Sequence, residues 1–151
     1  MRALSFLLVV VAATGCSSPA PDDGSADDTS DTQDKLLAGR KLTETQTADV
    51  LRSAGFDEDV VAPMVCTAKY ESSFYEKASH KNKDGSIDRG LFQVNSTHLG
   101  WGACPKSADG LYDAKANAKC AHVIWADQGL RAWYGYQKHR TECDAYQIGD
   151  D

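Results

Sequence analysis

Two carboxyl side chains, Glu71 and Asp88, are the residues of this chain whose types and spacing point most directly to chemistry. Glu71 has aromatic neighbours in the segment 69–74, and Asp88 follows 17 positions later, beside a run of turn-forming residues. A carboxyl group against an apolar wall keeps its proton because burial disfavours the charged form, whereas one among polar groups stays ionised. Such a pair can protonate the leaving oxygen of a glycosidic bond and stabilise the resulting sugar cation. Most carboxylates are solvated surface groups, so the pair needs elements that bring it together.

Two predicted helices lead up to Glu71. The first spans Thr43–Ala54, with a capping box formed by Thr43 and Gln46, and Gly55 can end it. The second spans Val61–Tyr75 and places Glu71 near its carboxyl end. Its proline, Pro63, is expected to fit only in the first helical turn, where a missing N–H costs nothing.

The segment His80–Asn95 predicts a short hairpin or small sheet, because turn formers at 82–86 precede an alternating run that contains Asp88. Residues 97–110 are typical of a loop, 115–126 predict a third helix, and 130–139 predict a final helical stretch. The fold class is therefore α+β and mainly helical. The end of the second helix and the facing antiparallel hairpin are expected to form the two walls of a cleft.

The amino terminus predicts export and a lipid anchor. Residues 1–15 have a basic start, a short apolar run and a small-residue end, which is typical of a signal peptide. We interpret the small residues before Cys16 as a lipobox, in which Cys16 is acylated and the lipid holds the protein to a membrane; an ordinary signal peptide is the alternative. Residues 16–34 carry six Asp and no Lys or Arg, and predict a disordered acidic tether. The remaining residues, 35–151, suit one compact catalytic domain.

The charge balance of that domain differs from that of the whole chain. The full chain carries 16 basic and 22 acidic residues. Without Arg2 and the six tether Asp, 15 basic and 16 acidic residues remain, a net charge of −1. A domain so near neutrality is not expected to bind nucleic acid.

The cysteines favour two disulfides. The chain has five, and Cys16 belongs to the lipobox, which leaves an even set in an exported protein: Cys66, Cys104, Cys120 and Cys143. Four cysteines allow three pairings, and their spacing does not choose among them. A zinc site would need clustered Cys and His ligands, which the sequence lacks.

The segment from Cys66 to Asn95 resembles the C-type lysozyme family. It matches without a gap the pattern C-x-A-K-[FY]-E-S-x-F, then D-G-S, D-x-G and [ILF]-Q-[IV]-N. A second segment, residues 129–133, is similar to the family's G-M-N-A-W. The resemblance spans most of the domain and implies a lysozyme-like fold and the cleavage of β-1,4 bonds between N-acetylmuramic acid and N-acetylglucosamine.

The resemblance also implies roles for individual residues. Glu71 falls on the family's general acid and base, and Asp88 on its nucleophile or stabilising carboxylate. Trp101 lies in a Gly-rich loop where the family places cleft tryptophans, and Trp133 falls on the aromatic that packs against the acid. The implied substrate-binding residues are Asn82, Gln93, Asn95, Trp101, Ala132 and Trp133. The implied disulfides are Cys66–Cys143 and Cys104–Cys120, and two further disulfides of animal members are missing.

No metal or cofactor is expected. Residues 80–91 are similar to an EF-hand loop, but His80 stands at the first ligand position and Leu91 at the bidentate Glu position. The expected partners are peptidoglycan glycan strands and, through Cys16, a membrane that faces the periplasm or the exterior; the outer membrane is preferred because Ser17 follows the cysteine. We expect a monomer.

Two other functions remain open at this point. A lytic transglycosylase shares the E-S-x-F and G-L-x-Q pattern but works with one Glu. A non-catalytic, peptidoglycan-binding lysozyme relative would typically lack one of the two carboxylates.

Overall fold

The computed structural model describes residues 39–149 of the 151-residue chain. The signal peptide, the lipobox cysteine Cys16 and the acidic tether lie outside the described residues. Within them the order is two helices, a three-stranded sheet, and three further helices linked by short 3₁₀ segments. None of the described helices is long and apolar enough to cross a membrane.

Helix α1 spans Glu44–Ala54 and has the predicted ends. Thr43 accepts a hydrogen bond from the N–H of Gln46, and the side chain of Gln46 accepts one from the N–H of Thr43. Gly55 ends the helix in the left-handed conformation, with φ of 97°. These caps satisfy backbone groups that a helix of this length would otherwise leave to water.

Helix α2 spans Glu58–Ser72, so it begins and ends three residues earlier than the sequence predicted. Asp57 is extended at its start, and two acidic residues in the first turn favour the positive end of the helix dipole. The prediction for Pro63 was wrong, because it is the sixth helical residue rather than part of the first turn. Glu71 consequently lies in the last turn, as expected.

Three short antiparallel strands form the small sheet in the order β1-β2-β3: β1 is Ser79–Lys81, β2 is Ile87–Arg89 and β3 is Val94–Asn95. Asp88 on the central strand pairs with His80 on one side and Asn95 on the other. The alternating run therefore contains two strands, separated by a turn at residues 90–93.

A buried asparagine fixes that turn to the helical part of the domain. Asn117 is fully buried and accepts a hydrogen bond from the N–H of Phe92 at 2.9 Å. Its amide donates to the carbonyls of Arg89 and Leu111 at 2.9 and 2.8 Å. Gly90 adopts φ of +78° beside it, and an added Cβ there would lie 2.1 Å from the carbonyl oxygen of Leu111. Only glycine fits at this close approach.

Helix α3 spans Ala114–Gln128, slightly longer than predicted, and packs on α1. The loop before it contains 3₁₀ segments at Ser96–His98 and Ala108–Tyr112. The predicted final helical stretch, 130–139, is broken into a 3₁₀ turn, Leu130–Ala132, and a short helix, α4 (Tyr134–Lys138); a further helix that the sequence did not predict, α5 (Arg140–Asp144), follows it. The first break is at Trp133, which is extended.

Two disulfides hold the C-terminal helices and the loop. Cys66 of α2 bonds Cys143 of α5, and Cys104 of the loop bonds Cys120 of α3. This is the pairing that the family resemblance implied. The core between the helices and the sheet turn is apolar, and its largest fully buried side chains include Phe92, Leu51, Met64, Leu91 and Leu111.

Candidate active site

A cleft runs between the last turn of α2 and the small sheet, with a volume of about 190 Å³. Glu71 lies on the helical wall and Asp88 on the sheet wall. The other lining residues are Gln93, Val94, Asn95, His98, Ile124, Gln128, Ala132, Trp133 and Tyr134. The two carboxyls singled out from the sequence are therefore brought to one cavity.

The carboxyl group of Glu71 is held in a largely desolvated position. Burial raises the pKa of Glu71 above its ordinary value, and the negative charge of Asp88 raises it further. The backbone N–H of Gly135 donates to Oε1 of Glu71 at 2.7 Å and opposes this rise in pKa. Because burial is the largest of these effects, the carboxyl keeps its proton to higher pH than an exposed glutamate.

Gly135 approaches Glu71 closely because it lacks a side chain. A Cβ at this position would lie 2.9 Å from Oε1 of Glu71 and 3.0 Å from Cβ of Tyr70. The backbone N–H can therefore donate directly to the carboxylate, and the first turn of α4 is joined to the last turn of α2.

The second carboxylate, Asp88, is held by two side-chain amides. Asn95 donates to its Oδ1 at 2.7 Å, and Asn82 donates to its Oδ2 at 2.9 Å. Both asparagines also donate to the hydroxyl of Ser86, at 2.9 and 3.1 Å. Hydrogen bonds to both oxygens fix the plane of the carboxylate.

Trp133 lines the same cleft as Glu71 and is only 5% exposed. Its indole N–H donates to the carbonyl of Phe92 at 2.9 Å. The extended backbone at Trp133 interrupts the helical stretch, and the buried ring with its bonded N–H fixes this break.

Comparison with known proteins decides the family. The pattern of the C-type lysozyme/alpha-lactalbumin family matches residues 40–148, most of the chain. This chain belongs to that family. It is 34% identical to "Lysozyme c-1" of Anopheles gambiae over 111 residues, covering 69% of this chain and 79% of that protein. It is also 34% identical to "Lysozyme C" of Takifugu rubripes over 131 residues, covering 75% and 90%.

A solved structure supports the same assignment. A lysozyme from Litopenaeus vannamei is similar with a TM-score of 0.54 at 25% sequence identity. The similarity covers 70% of this chain and 98% of that one. The lysozyme fold expected from the sequence is thus confirmed.

Gln93, which the C-type lysozyme resemblance implied as a substrate-binding residue, mainly stabilises the backbone. Gln93 has a left-handed φ of 46°, and its side-chain amide donates to the carbonyls of Ala78 and Gly90 at 3.0 and 2.9 Å. It therefore stabilises the turn between β2 and β3 while still lining the cleft. Ala132 lines the cleft, whereas Asn82 does not line it and is joined to it through its bond to Asp88.

Trp101, the last of the residues suggested by the lysozyme resemblance, does not line the cleft with Glu71. It is 40% exposed and stacks on His98, with ring centroids 5.4 Å apart. His98 itself lines the cleft, so Trp101 reaches it only through this ring.

Sequence reasoning missed five lining residues: Val94, His98, Ile124, Gln128 and Tyr134. Tyr134 had a signal, because it directly follows the matched segment 129–133 in the sequence. Gln128, the last residue of α3, had none. Across residues 39–149, no group of three His, Cys, Asp or Glu side chains is placed to hold a metal ion.

Proposed function

We propose that this domain is a muramidase that hydrolyses β-1,4 bonds between N-acetylmuramic acid and N-acetylglucosamine in peptidoglycan. The observation that supports this most directly is the contrast between the two carboxyls of one cleft. Burial raises the pKa of Glu71, whereas Asp88 accepts hydrogen bonds on both oxygens. The curated relatives named above are lysozymes.

In the proposed reaction the protonated carboxyl of Glu71 donates its proton to the glycosidic oxygen, and the bond from that oxygen to the anomeric carbon breaks. The ionised Asp88 stabilises or captures the positively charged sugar. Glu71, now ionised, takes a proton from water as the water attacks the anomeric carbon. This returns Glu71 to its protonated form and Asp88 to its free carboxylate.

Trp133 and Gly135 prepare Glu71 for this role. In this proposal the buried indole, which lines the same cleft, shields the carboxyl from water, and the N–H of Gly135 orients the carboxyl. Asn82 and Asn95 do the same for Asp88. Because these donors are positioned before substrate arrives, little reorganisation is needed as charge develops.

Replacement of Glu71 tests the proposal. Glu71→Gln should abolish the release of reducing sugars from purified peptidoglycan, since an amide has no proton to donate at the glycosidic oxygen. Glu58→Gln, at the exposed start of the same helix, is the control and should retain activity. Undiminished release by the Glu71→Gln protein would contradict the proposal.

The products distinguish this function from its two alternatives. A hydrolase leaves muramic acid with a free reducing end, whereas a lytic transglycosylase leaves anhydromuramic acid, lighter by one water. The two amide donors on Asp88 favour hydrolysis, since a transglycosylase manages with one glutamate. A non-catalytic relative would bind peptidoglycan and release no fragment, and the presence of both carboxyls in one cleft argues against it.

We also propose that the mature protein is monomeric and anchored by acylated Cys16, with the outer membrane as its destination. The small residues before Cys16, the acidic segment after it and Ser17 at the next position support this. Cys16→Ser should move the protein from the membrane fraction to the soluble fraction. Equal membrane retention of both forms would refute the anchor. Two disulfides in the domain are consistent with export.

A further inference from the structure

A second, wider groove adjoins the cleft. It has a volume of about 800 Å³ and shares Asp88 and Asn95 with the first cavity. Its remaining wall is the β1 strand and the hairpin tip, which contribute His80, Lys81 and Lys83. A group attached to a sugar near Asp88 would extend directly into it.

The basic side chains of this groove are available to a ligand. His80, Lys81 and Lys83 are exposed, and within residues 39–149 neither lysine has a carboxylate at salt-bridge distance. Some basic side chains elsewhere in residues 39–149 are paired, such as Lys69 with Glu142 at 3.1 Å and Arg52 with Glu58 at 2.6 Å, and others, such as those at 115 and 119, are not.

The two carboxylates of the groove are already engaged locally. Asp84 accepts hydrogen bonds from the N–H and hydroxyl of Ser86, at 2.9 and 2.7 Å. Asp88 accepts from its two asparagines. The carboxylates of the groove are thus held by donors other than its lysines, and Lys81 and Lys83 are left to pair with an incoming anion.

This local arrangement contrasts with the domain as a whole, which carries 15 basic and 16 acidic residues from Lys35 onward, by the count given above. A uniformly basic surface would attract anionic walls at every face. Here the unpaired lysines adjoin the catalytic carboxylates, so their attraction acts where the glycan strand is held. A glycan backbone of N-acetylated sugars is neutral, and its negative charge is on the peptides attached to the lactyl groups of muramic acid.

We propose that His80, Lys81 and Lys83 bind the carboxylates of the peptide branch on the muramic acid residue near Asp88, so that the enzyme prefers peptide-bearing glycan strands to bare ones. This inference rests on the proposed muramidase function, from which it takes the position of the strand. Exposed ion pairs are individually weak. Two or three acting together should give a preference of about three- to tenfold, and added salt should reduce it.

The test compares three forms of soluble, uncrosslinked glycan strands: with free peptide carboxylates, with those carboxylates amidated, and with the peptides removed by an amidase and the lactyl carboxylates that this exposes amidated in turn. Binding is measured with full-length Glu71→Gln protein, which should not turn the strands over. We expect about three- to tenfold tighter binding of the free-carboxylate form than of either other form. Equal binding of all three forms would overturn the inference.

Paired lysine variants give the second arm. Lys81→Gln/Lys83→Gln in the same protein should reduce the ratio of free to amidated binding to about one. Lys115→Gln/Lys119→Gln makes the same change of net charge on exposed positions of α3 that do not line the groove, and should keep the ratio. A ratio retained by the first pair, or lost by both, would contradict the inference.

Cleavage by the protein with Glu71 intact separates the two proposals. If no strand is cut, the muramidase function fails, while the binding ratios still decide the peptide preference. If all three forms are cut with equal kcat/KM and bound equally, the function stands and the peptide preference fails.

Discussion

The backbone N–H of Gly135 lies 2.7 Å from Oε1 of Glu71, although the two residues are 64 positions apart. The bond connects the last turn of α2 to the first turn of α4. The Cys66–Cys143 disulfide connects α2 to the following helix, α5. The geometry of the proposed acid therefore depends on packing between distant segments.

The pH dependence of activity should reflect the environment of Glu71. Because burial and Asp88 raise the pKa of Glu71, the proton-donating form persists above the pH range of an ordinary glutamate. We expect kcat/KM to fall as pH rises through that raised pKa. Substrate binding measured as a function of pH should place the Glu71 transition at lower pH in the Asp88→Asn variant than in wild type. The variant lacks the negative charge that opposes ionisation of Glu71. An unchanged transition would contradict this electrostatic account.

The raised pKa of Glu71 also predicts that the free energy of unfolding of wild type depends on pH differently from that of a variant without this carboxyl. The folded pKa of Glu71 is above the unfolded one, so the folded state binds more protons between the two values and its stability falls as pH rises through that interval. Glu71→Gln removes this loss while its side-chain oxygen can still accept from Gly135. The free energy of unfolding of the variant relative to wild type, measured from about pH 3 to pH 8, should therefore increase with pH. A difference independent of pH would be inconsistent with a buried acid.

The amide donors on Asp88 should matter for kcat more than for KM. Asn95→Ala removes a 2.7 Å bond to the carboxylate, and a charge-assisted bond of this kind predicts a loss of about tenfold or more in kcat. As a positioning residue, Asn95 should act only through Asp88. In an Asp88→Asn background the Asn95→Ala change should therefore have little further effect on the residual rate. Equal losses in both backgrounds would assign Asn95 a separate role.

A polar contact between the two ends of the described chain should contribute to stability. The hydroxyl of Tyr146 donates to Glu44 of α1, and the N–H of Gly149 donates to the same carboxylate at 2.8 Å. Tyr146→Phe should lower the free energy of unfolding by about 1–2 kcal/mol, measured by urea denaturation. Tyr112→Phe is the control, because its hydroxyl has no hydrogen-bond partner in residues 39–149, and it should be nearly neutral.

The two disulfides should contribute unequally. Cys66 and Cys143 close a loop of 77 positions, and Cys104 and Cys120 one of 16. Loop-closure entropy predicts losses of about 4.5 and 3 kcal/mol when each pair is replaced by alanine. Urea denaturation of the two double variants measures this order. A larger loss for the short loop would show that packing around Cys104 outweighs chain entropy.

Much of the fold and of the candidate site could be predicted from local sequence patterns. The cap of α1, the position of Glu71 and the hairpin around Asp88 follow from turn and capping residues that act within a few positions. The start of α2 was missed because Pro63 was taken as an early-turn marker, whereas Asp57 and the acidic first turn begin the helix before it.

The remaining errors concern contacts between distant segments. The break at Trp133 accompanies the bond from its indole to Phe92, 41 positions away. The resemblance placed Trp101 in the cleft, but Trp101 stacks on His98, and His98 lines the cleft instead. Sequence patterns of a few residues do not predict which side chains meet in the folded domain.

The buried hydrogen bonds of Asn117 should make the base of the small sheet less tolerant of sequence change than the tip of its hairpin. At Gly90 any side chain would collide with Leu111 and Asn117, whereas the side chains of residues 83 and 84, at the hairpin tip, are exposed. Natural drift and laboratory evolution of substrate range should therefore accumulate at these two positions and spare the base. Libraries that vary residues 83 and 84 should yield mostly folded enzymes with altered glycan selectivity, while insertions at 90–93 should be lost before any selection for activity.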